Sequence, residues 1–126
     1  MSETRLPPLL LKGIDLFNRG DYYDCHEVLE QLWNEQQEPE KQLTQALIQV
    51  AVATYHIQRS NFEGARKLYE RGLRRLRPFV PTHAGIDVAA LIKQCEHLQA
   101  LAHSSTIPGA GDLPRISVSN AGGGSE

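Results

Sequence analysis

The sequence predicts an all-α fold, a compact bundle of about five helices, and three observations carry that expectation. Apolar residues recur every three or four positions along most of the chain, the spacing that puts them on one buried face of a helix. Pro39, Pro78 and Pro81 fall between these periodic stretches, where breakers belong. No alternating apolar and polar run of the kind expected of a half-buried strand appears. A length of 126 residues allows one domain and excludes a multidomain enzyme. With 40% hydrophobic and 22% charged residues, the chain is not of the wholly disordered class.

Each helix has its own justification. Pro7 and Pro8 suit a first helical turn, and Leu10, Ile14 and Phe17 follow at helical spacing as far as Gly20. Asp21 is a natural N-cap for a second helix running to about Gln36, with Asp24 and Glu27 in the first turn, where the helix dipole favours anions. The third helix, about residues 40–59, is apolar around most of its circumference, with Ala46, Leu47, Ile48, Val50, Ala51, Val52 and Ala53 nearly consecutive. Such a helix belongs in the middle of a bundle. Asn61 caps a fourth helix whose stripe is Ala65, Leu68, Tyr69, Gly72, Leu73 and Leu76, ended by Pro78 and Pro81. A fifth starts at Asp87, with Ile86 and Leu91 placed as a hydrophobic staple, and reaches about Ala102.

The domain is therefore read as residues 5–102, with residues 103–126 a largely disordered tail, since five Gly, five Ser and two Pro fall in those last 24 positions. Only residues 113–118 within it have enough apolar character to dock as an extended segment. The longest apolar stretch, residues 46–57, is interrupted by Gln49 and His56, too short and too polar for a membrane span. The first residues do not read as a secretory leader. Cys25 and Cys95 show no paired spacing, which suits reduced thiols and a cytoplasmic location.

A shift of 40 residues aligns Phe17-Asn18-Arg19-Gly20-Asp21-Tyr22 with Ile57-Gln58-Arg59-Ser60-Asn61-Phe62, then Cys25 with Ala65, Val28 with Leu68 and Glu30 with Glu70. One helix hairpin is thus used twice. GDYYDCHEVLE is also similar to the loop and second helix of a tetratricopeptide repeat, although the period is longer than that family's and only two copies occur, which favours a closed bundle over an open array.

Helical phase gathers the chemistry-bearing residues. His26, Glu30 and Trp33, at i, i+4 and i+7, form a stripe along one edge of the second helix, and Gln45, Gln49 and His56 form one polar stripe on the third. Facing one another, they would make a semi-buried network in which every member needs a partner, an unpaired buried polar group costing roughly 1–3 kcal/mol. Three roles suit it. His26, Glu30 and His56 could ligate a divalent metal, although HEVLE is not HExxH. His26 and Glu30 could act as a general acid/base pair of a small hydrolase beside the apolar wall of Trp33, again with His56. No nucleophile accompanies them, because Cys25 and His26, adjacent on a helix, diverge by about 100°. The same residues could serve structure alone, with Trp33 a core anchor.

The segments FNRGDYYDCHEVLEQLW, residues 17–33, and LTQALIQVAVATYHIQRSNFEGARKLYERGLRRL, residues 43–76, resemble the bacterial and archaeal family filed as domain of unknown function 309. The resemblance covers about residues 9–76 and, more weakly, Gly85-Ile86-Asp87. It implies a compact all-helical fold whose signature residues match His26, Glu27, Glu30, Trp33, Gln45, Gln49, His56 and Asn61; Cys25 stands where members often have Ala. It implies no activity.

A formal net charge of -2 gives no global reason to expect nucleic acid or membrane as partner. The layout is polar all the same. Residues 21–40 carry Asp21, Asp24, Glu27, Glu30, Glu35, Glu38 and Glu40 and no Lys or Arg, whereas residues 59–77 carry Arg59, Arg66, Lys67, Arg71, Arg74, Arg75 and Arg77. These blocks could pair within one chain or between copies in a homo-oligomer. Arg71, Arg74, Arg75 and Arg77 are candidates for holding an anion, although cations near a helix C-terminus need no ligand to explain them. Nucleic acid is not expected, since no stacking aromatics accompany the basic block. The expected function is a non-catalytic binding or protein-interaction module, with the hydrolase as the alternative. No cofactor is implied beyond a possible divalent metal.

Overall fold

The computed structural model describes residues 6–119. Five helices follow in order: α1 (Pro8–Asn18), α2 (Tyr22–Glu35), α3 (Glu40–Gln58), α4 (Phe62–Leu76) and α5 (Val88–His103). Contact runs chiefly between neighbours in sequence, α1 on α2, α2 on α3, α3 on α4 and α4 on α5. The bundle is built outward from α3, which buries Leu43, Ala46, Leu47, Val50, Ala51, Ala53 and Ile57 against both sides. On α1 the buried residues Leu10, Ile14 and Phe17 step by four and three. On α2 Tyr22, Cys25, Leu29 and Leu32 do the same, each fully buried aliphatic contributing about 1.5–3 kcal/mol. Phe17 and Tyr22 meet edge to face across the turn, with centroids 5.3 Å apart. Two close helix approaches need glycine. A Cβ on Gly13 would lie 2.5 Å from Leu29 Cδ2, and one on Gly72 would lie 2.7 Å from Val50 Cγ1.

The 40-residue echo extends to the closing hydrogen bonds where the helices turn. At the end of α1, Gly20 N donates to Phe17 O and Asp21 N to Leu16 O; at the end of α3, Ser60 N donates to Ile57 O and Asn61 N to His56 O. Both are Schellman closures with the penultimate residue left-handed, Gly20 at φ 85° and Ser60 at φ 63°. The end of α5 repeats the closure, with Ser105 (φ 53°) donating to Ala102 O and Thr106 N to Leu101 O. Capping differs between copies. The Asn61 side chain accepts from Gly64 N at 3.1 Å, whereas Asp21 holds the N-cap position without a side-chain bond. Asp87 caps α5 through Ala90 N at 2.9 Å.

Two parts differ from the sequence reading. A two-residue hairpin joins α4 to α5, β1 (Thr82–His83) pairing antiparallel with β2 (Ile86–Asp87). Ala84 and Gly85 both have positive φ at its turn, the geometry of a type I′ hairpin; strands this short leave no periodic signal. The boundary at residue 102 also shifts. After α5 the chain makes a 3-10 turn at Ala110–Asp112 and runs back over the bundle as a strap, in which Pro114 and Ile116 are buried. Ile86 forms an antiparallel bridge with Val118. The remaining tail positions, 120–126, lie outside the described residues. Among the described residues no helix is long and apolar enough to cross a membrane.

Candidate functional site

The i, i+4 spacing on α2 brings His26 and Glu30 together, with Nε2 3.1 Å from Glu30 Oε2. Glu30 is half-exposed, whereas His26 Nδ1 is buried and has no hydrogen-bond partner. With the ring proton on Nε2, the imidazole donates to Glu30 and leaves only a lone pair unsatisfied. One turn further on, Trp33 walls a groove of about 330 Å³ between α2 and α3, lined by Glu30, Trp33 and Asn34 from α2 and by Gln45 and Ile48 from α3. Lys41, in the first turn of α3, places its ammonium 4.1 Å from the centroid of the Trp33 ring. The carboxylates at positions 21, 24, 27, 30, 35, 38 and 40 are all exposed, Glu27 among them.

The remainder of the expected network goes elsewhere. Gln49 faces α4, where its Oε1 accepts from Arg75 Nε at 3.2 Å, and Gln42 Oε1 accepts from Arg75 Nη1 at 2.6 Å. His56 lies against Asn61, whose side-chain amide donates to His56 Nδ1 at 3.3 Å, so that His56 orients the cap of α4. Between the two histidines stand Tyr23 and Tyr55. Tyr23 is 5.5 Å from the His26 ring and 5.8 Å from Tyr55, which is 6.1 Å from His56 and carries Arg59 over its ring at 5.1 Å. The single cluster of His26, Glu30, Gln45, Gln49 and His56 is thereby divided into three. Among the described residues no group of three or more His, Cys, Asp or Glu side chains converges as a metal site would require. Cys25 supplies no nucleophile, since burial pushes its thiol up to about 12 and a thiol is reactive only as thiolate.

The arginines do not converge on an anion either. Arg74 pairs with Glu70 at 3.2 Å and Arg77 with Glu96 at 3.5 Å; Arg75 is taken by the two glutamines, and Arg71 is exposed. Among the described residues no ion pair joins the acidic block of α2 to the basic block of α4, whose partners lie on α4 itself, α3 and α5. Sequence reasoning missed Lys41, Asn34, Ile48, Tyr23 and Tyr55. Ile48 and Tyr23, three residues from Gln45 and His26, and Asn34 and Lys41, four from Glu30 and Gln45, were within its reach, lying on the same faces.

Two comparisons bear on the chain. The family model described as "Domain of unknown function (DUF309)" matches residues 10–68, which hold α1, α2, α3 and the start of α4. The Bacillus subtilis (strain 168) protein YpuF, described as uncharacterized, is 42% identical over 57 residues, 44% of this chain. The chain spans about a third of that relative's length, 33%.

Proposed function

We propose, from the premise that residues 10–68 make the chain a member of the DUF309 family, that it is a non-catalytic binding module whose α2–α3 groove receives a basic segment of a partner protein. The observation that carries this reading is Lys41 on Trp33: the indole that walls the groove already holds one of the chain's own ammonium groups, so its chemistry suits a cation. Three features support it. Glu30 is held in place by His26 at the groove's edge. Asn34 and Gln45 belong to the same lining, and the surrounding residues 21–40 carry seven acidic side chains and no Lys or Arg. A field of one sign around a concave site steers an oppositely charged partner. Two buried free thiols suit a reducing compartment, the cytosol. The hydrolytic alternative lacks a third group, because His56 is engaged with Asn61.

Trp33 is the chain's one tryptophan, so its emission reports on the groove directly. Titration with oligolysine or oligoarginine peptides is expected to change that emission saturably. Lys41→Ala should tighten binding roughly 2- to 5-fold by removing the internal competitor, and Glu30→Gln should weaken it about fivefold or more. A flat titration, or an equal response to oligoglutamate, retires the reading.

A further inference from the structure

The strap is held in a way that resembles peptide recognition more than core packing. Ile116 N donates to Asn18 Oδ1 at 2.7 Å, and Asn18 Nδ2 donates to Ile116 O at 2.9 Å. Its neighbour is held likewise from the other side, Arg115 N donating to Gln94 Oε1 at 2.8 Å and Gln94 Nε2 to Arg115 O at 3.1 Å. Two successive residues are therefore each gripped at N–H and C=O by one carboxamide, the side chain whose donor and acceptor reproduce those of a peptide group. Both carboxamides come from helices, Asn18 from the last position of α1 and Gln94 from α5. Gln94 Nε2 also donates to Ala90 O on its own helix at 3.1 Å, a bond that orients it independently of the strap. The hairpin extends the grip, since Asp87 N donates to Ser117 O at 2.9 Å and Ser119 N to Gly85 O at 2.6 Å, the pattern of a strand added to a sheet edge.

We propose that this cleft between α1, the β1–β2 hairpin and α5 is a recognition site for an extended polypeptide carrying a branched apolar side chain, occupied in the resting chain by its own residues 113–119. The contacts define the ligand. Backbone bonds at positions 115, 116, 117 and 119 read an extended chain without regard to side chain. Two residues from 113 to 119 are buried, Pro114 and Ile116, the latter at 3% exposure, while Arg115, Ser117, Val118 and Ser119 are exposed. Arg115 adds one further contact, Nη1 to Asn18 O at 3.2 Å. A segment fixed mostly by backbone bonds and by few buried side chains belongs to the part of a fold that opens first. The partner competes with a tethered occupant whose effective concentration is on the order of millimolar, so the strap sets the threshold for binding.

The test uses the full chain and a fluorescein-labelled peptide of sequence DLPRISVS, that of residues 112–119, followed by anisotropy. Ile116→Asp disables the chain's own strap and leaves the cleft intact. That variant is expected to bind the peptide at least ~10-fold more tightly than the wild type, which carries the tethered competitor. Adding Asn18→Ala or Gln94→Ala to it should abolish capture, as should an Ile→Asp change in the peptide. No uptake by an Ile116→Asp chain that circular dichroism shows to be folded overturns the proposal, as does uptake indifferent to both carboxamides. Dimers that exchange straps and take no peptide overturn it in favour of self-association. Should Ile116→Asp not fold, native-state hydrogen exchange of the wild type decides. Amides 115, 116 and 119 opening without those of α3 support a displaceable strap, and their opening only with the whole molecule defeats it.

Discussion

The α2–α3 groove and the α1–α5 cleft are made of the same material, a pair of helices offering carboxamides at an accessible edge, yet one is open and the other filled. In the groove, Glu30, Asn34 and Gln45 surround an indole whose ring also carries the Lys41 ammonium. In the cleft, Asn18 and Gln94 are consumed by backbone groups of residues 115 and 116. The groove displays charge and aromatic surface, suited to side chains, whereas the cleft displays amides and an apolar hole, suited to main chain. The two proposed recognition sites thus differ in what they would read as well as in place.

That division can be broken from the cleft side with the largest effect. Ile116→Ala should cost about 2–4 kcal/mol if its site stays a cavity, and less if the strap lifts away, because the loss cannot exceed what docking contributes. Urea denaturation followed by circular dichroism measures it, and the emission maximum of Trp33 should not move. A shifted maximum would mean that groove and cleft are not separate. From the groove side, Glu30→Gln is expected to leave stability within about 1 kcal/mol of wild type, since Glu30 is 56% exposed and its pairing with His26 lies within one helix; a larger loss in the same denaturation experiment would make the pair a structural element. The smallest effect belongs to Asp112 at the base of the strap. Hydrogen bonds from His97 Nε2 and Gly109 N, both at 2.8 Å, hold its carboxyl below the ordinary 3.8. A depressed carboxyl stabilises fully above that ordinary value and loses its contribution as pH falls through the lower folded value. Protection of strap amides from exchange should therefore be insensitive to this group from neutrality down to about pH 4 and weaken below it, a dependence that Asp112→Asn removes.

Most of the helical layout was legible because its signals are local. Pro7 and Pro8 opened α1, Asn61 and Asp87 capped α4 and α5 through their side chains, and the stripes of α1, α2 and α4 followed from a period near 3.6 residues. The site was legible only as far as phase reaches. His26, Glu30 and Trp33 share an edge because they lie within two turns of one helix, and Gln45 faces them because the antiparallel α3 begins where α2 ends. His56 has nearly the phase of Gln45 but stands eleven residues along, roughly 16 Å up the axis, beside the start of α2. Phase alone is blind to that translation. Gln49 was lost for another reason, since Arg75 approaches from α4, and which helix packs there is a tertiary fact. Composition marked residues 113–118 as the part of the tail able to dock, and the strap docks there, but it hid the order of the residues leading up to it, because Gly, Ser and Pro describe flexibility when free. What orders it is the carboxamides of Asn18 and Gln94, contributed from 21 or more residues away.

The closure shared by the ends of α1, α3 and α5 also makes the fold modular. Asp21 and Asn61 each follow that closure and start a helix, and Thr106 holds the same place with a strap after it. Two of the three closures thus hand the chain to a further helix and the third hands it to a clasp, so one backbone corner serves both to extend the bundle and to fold the chain back on it.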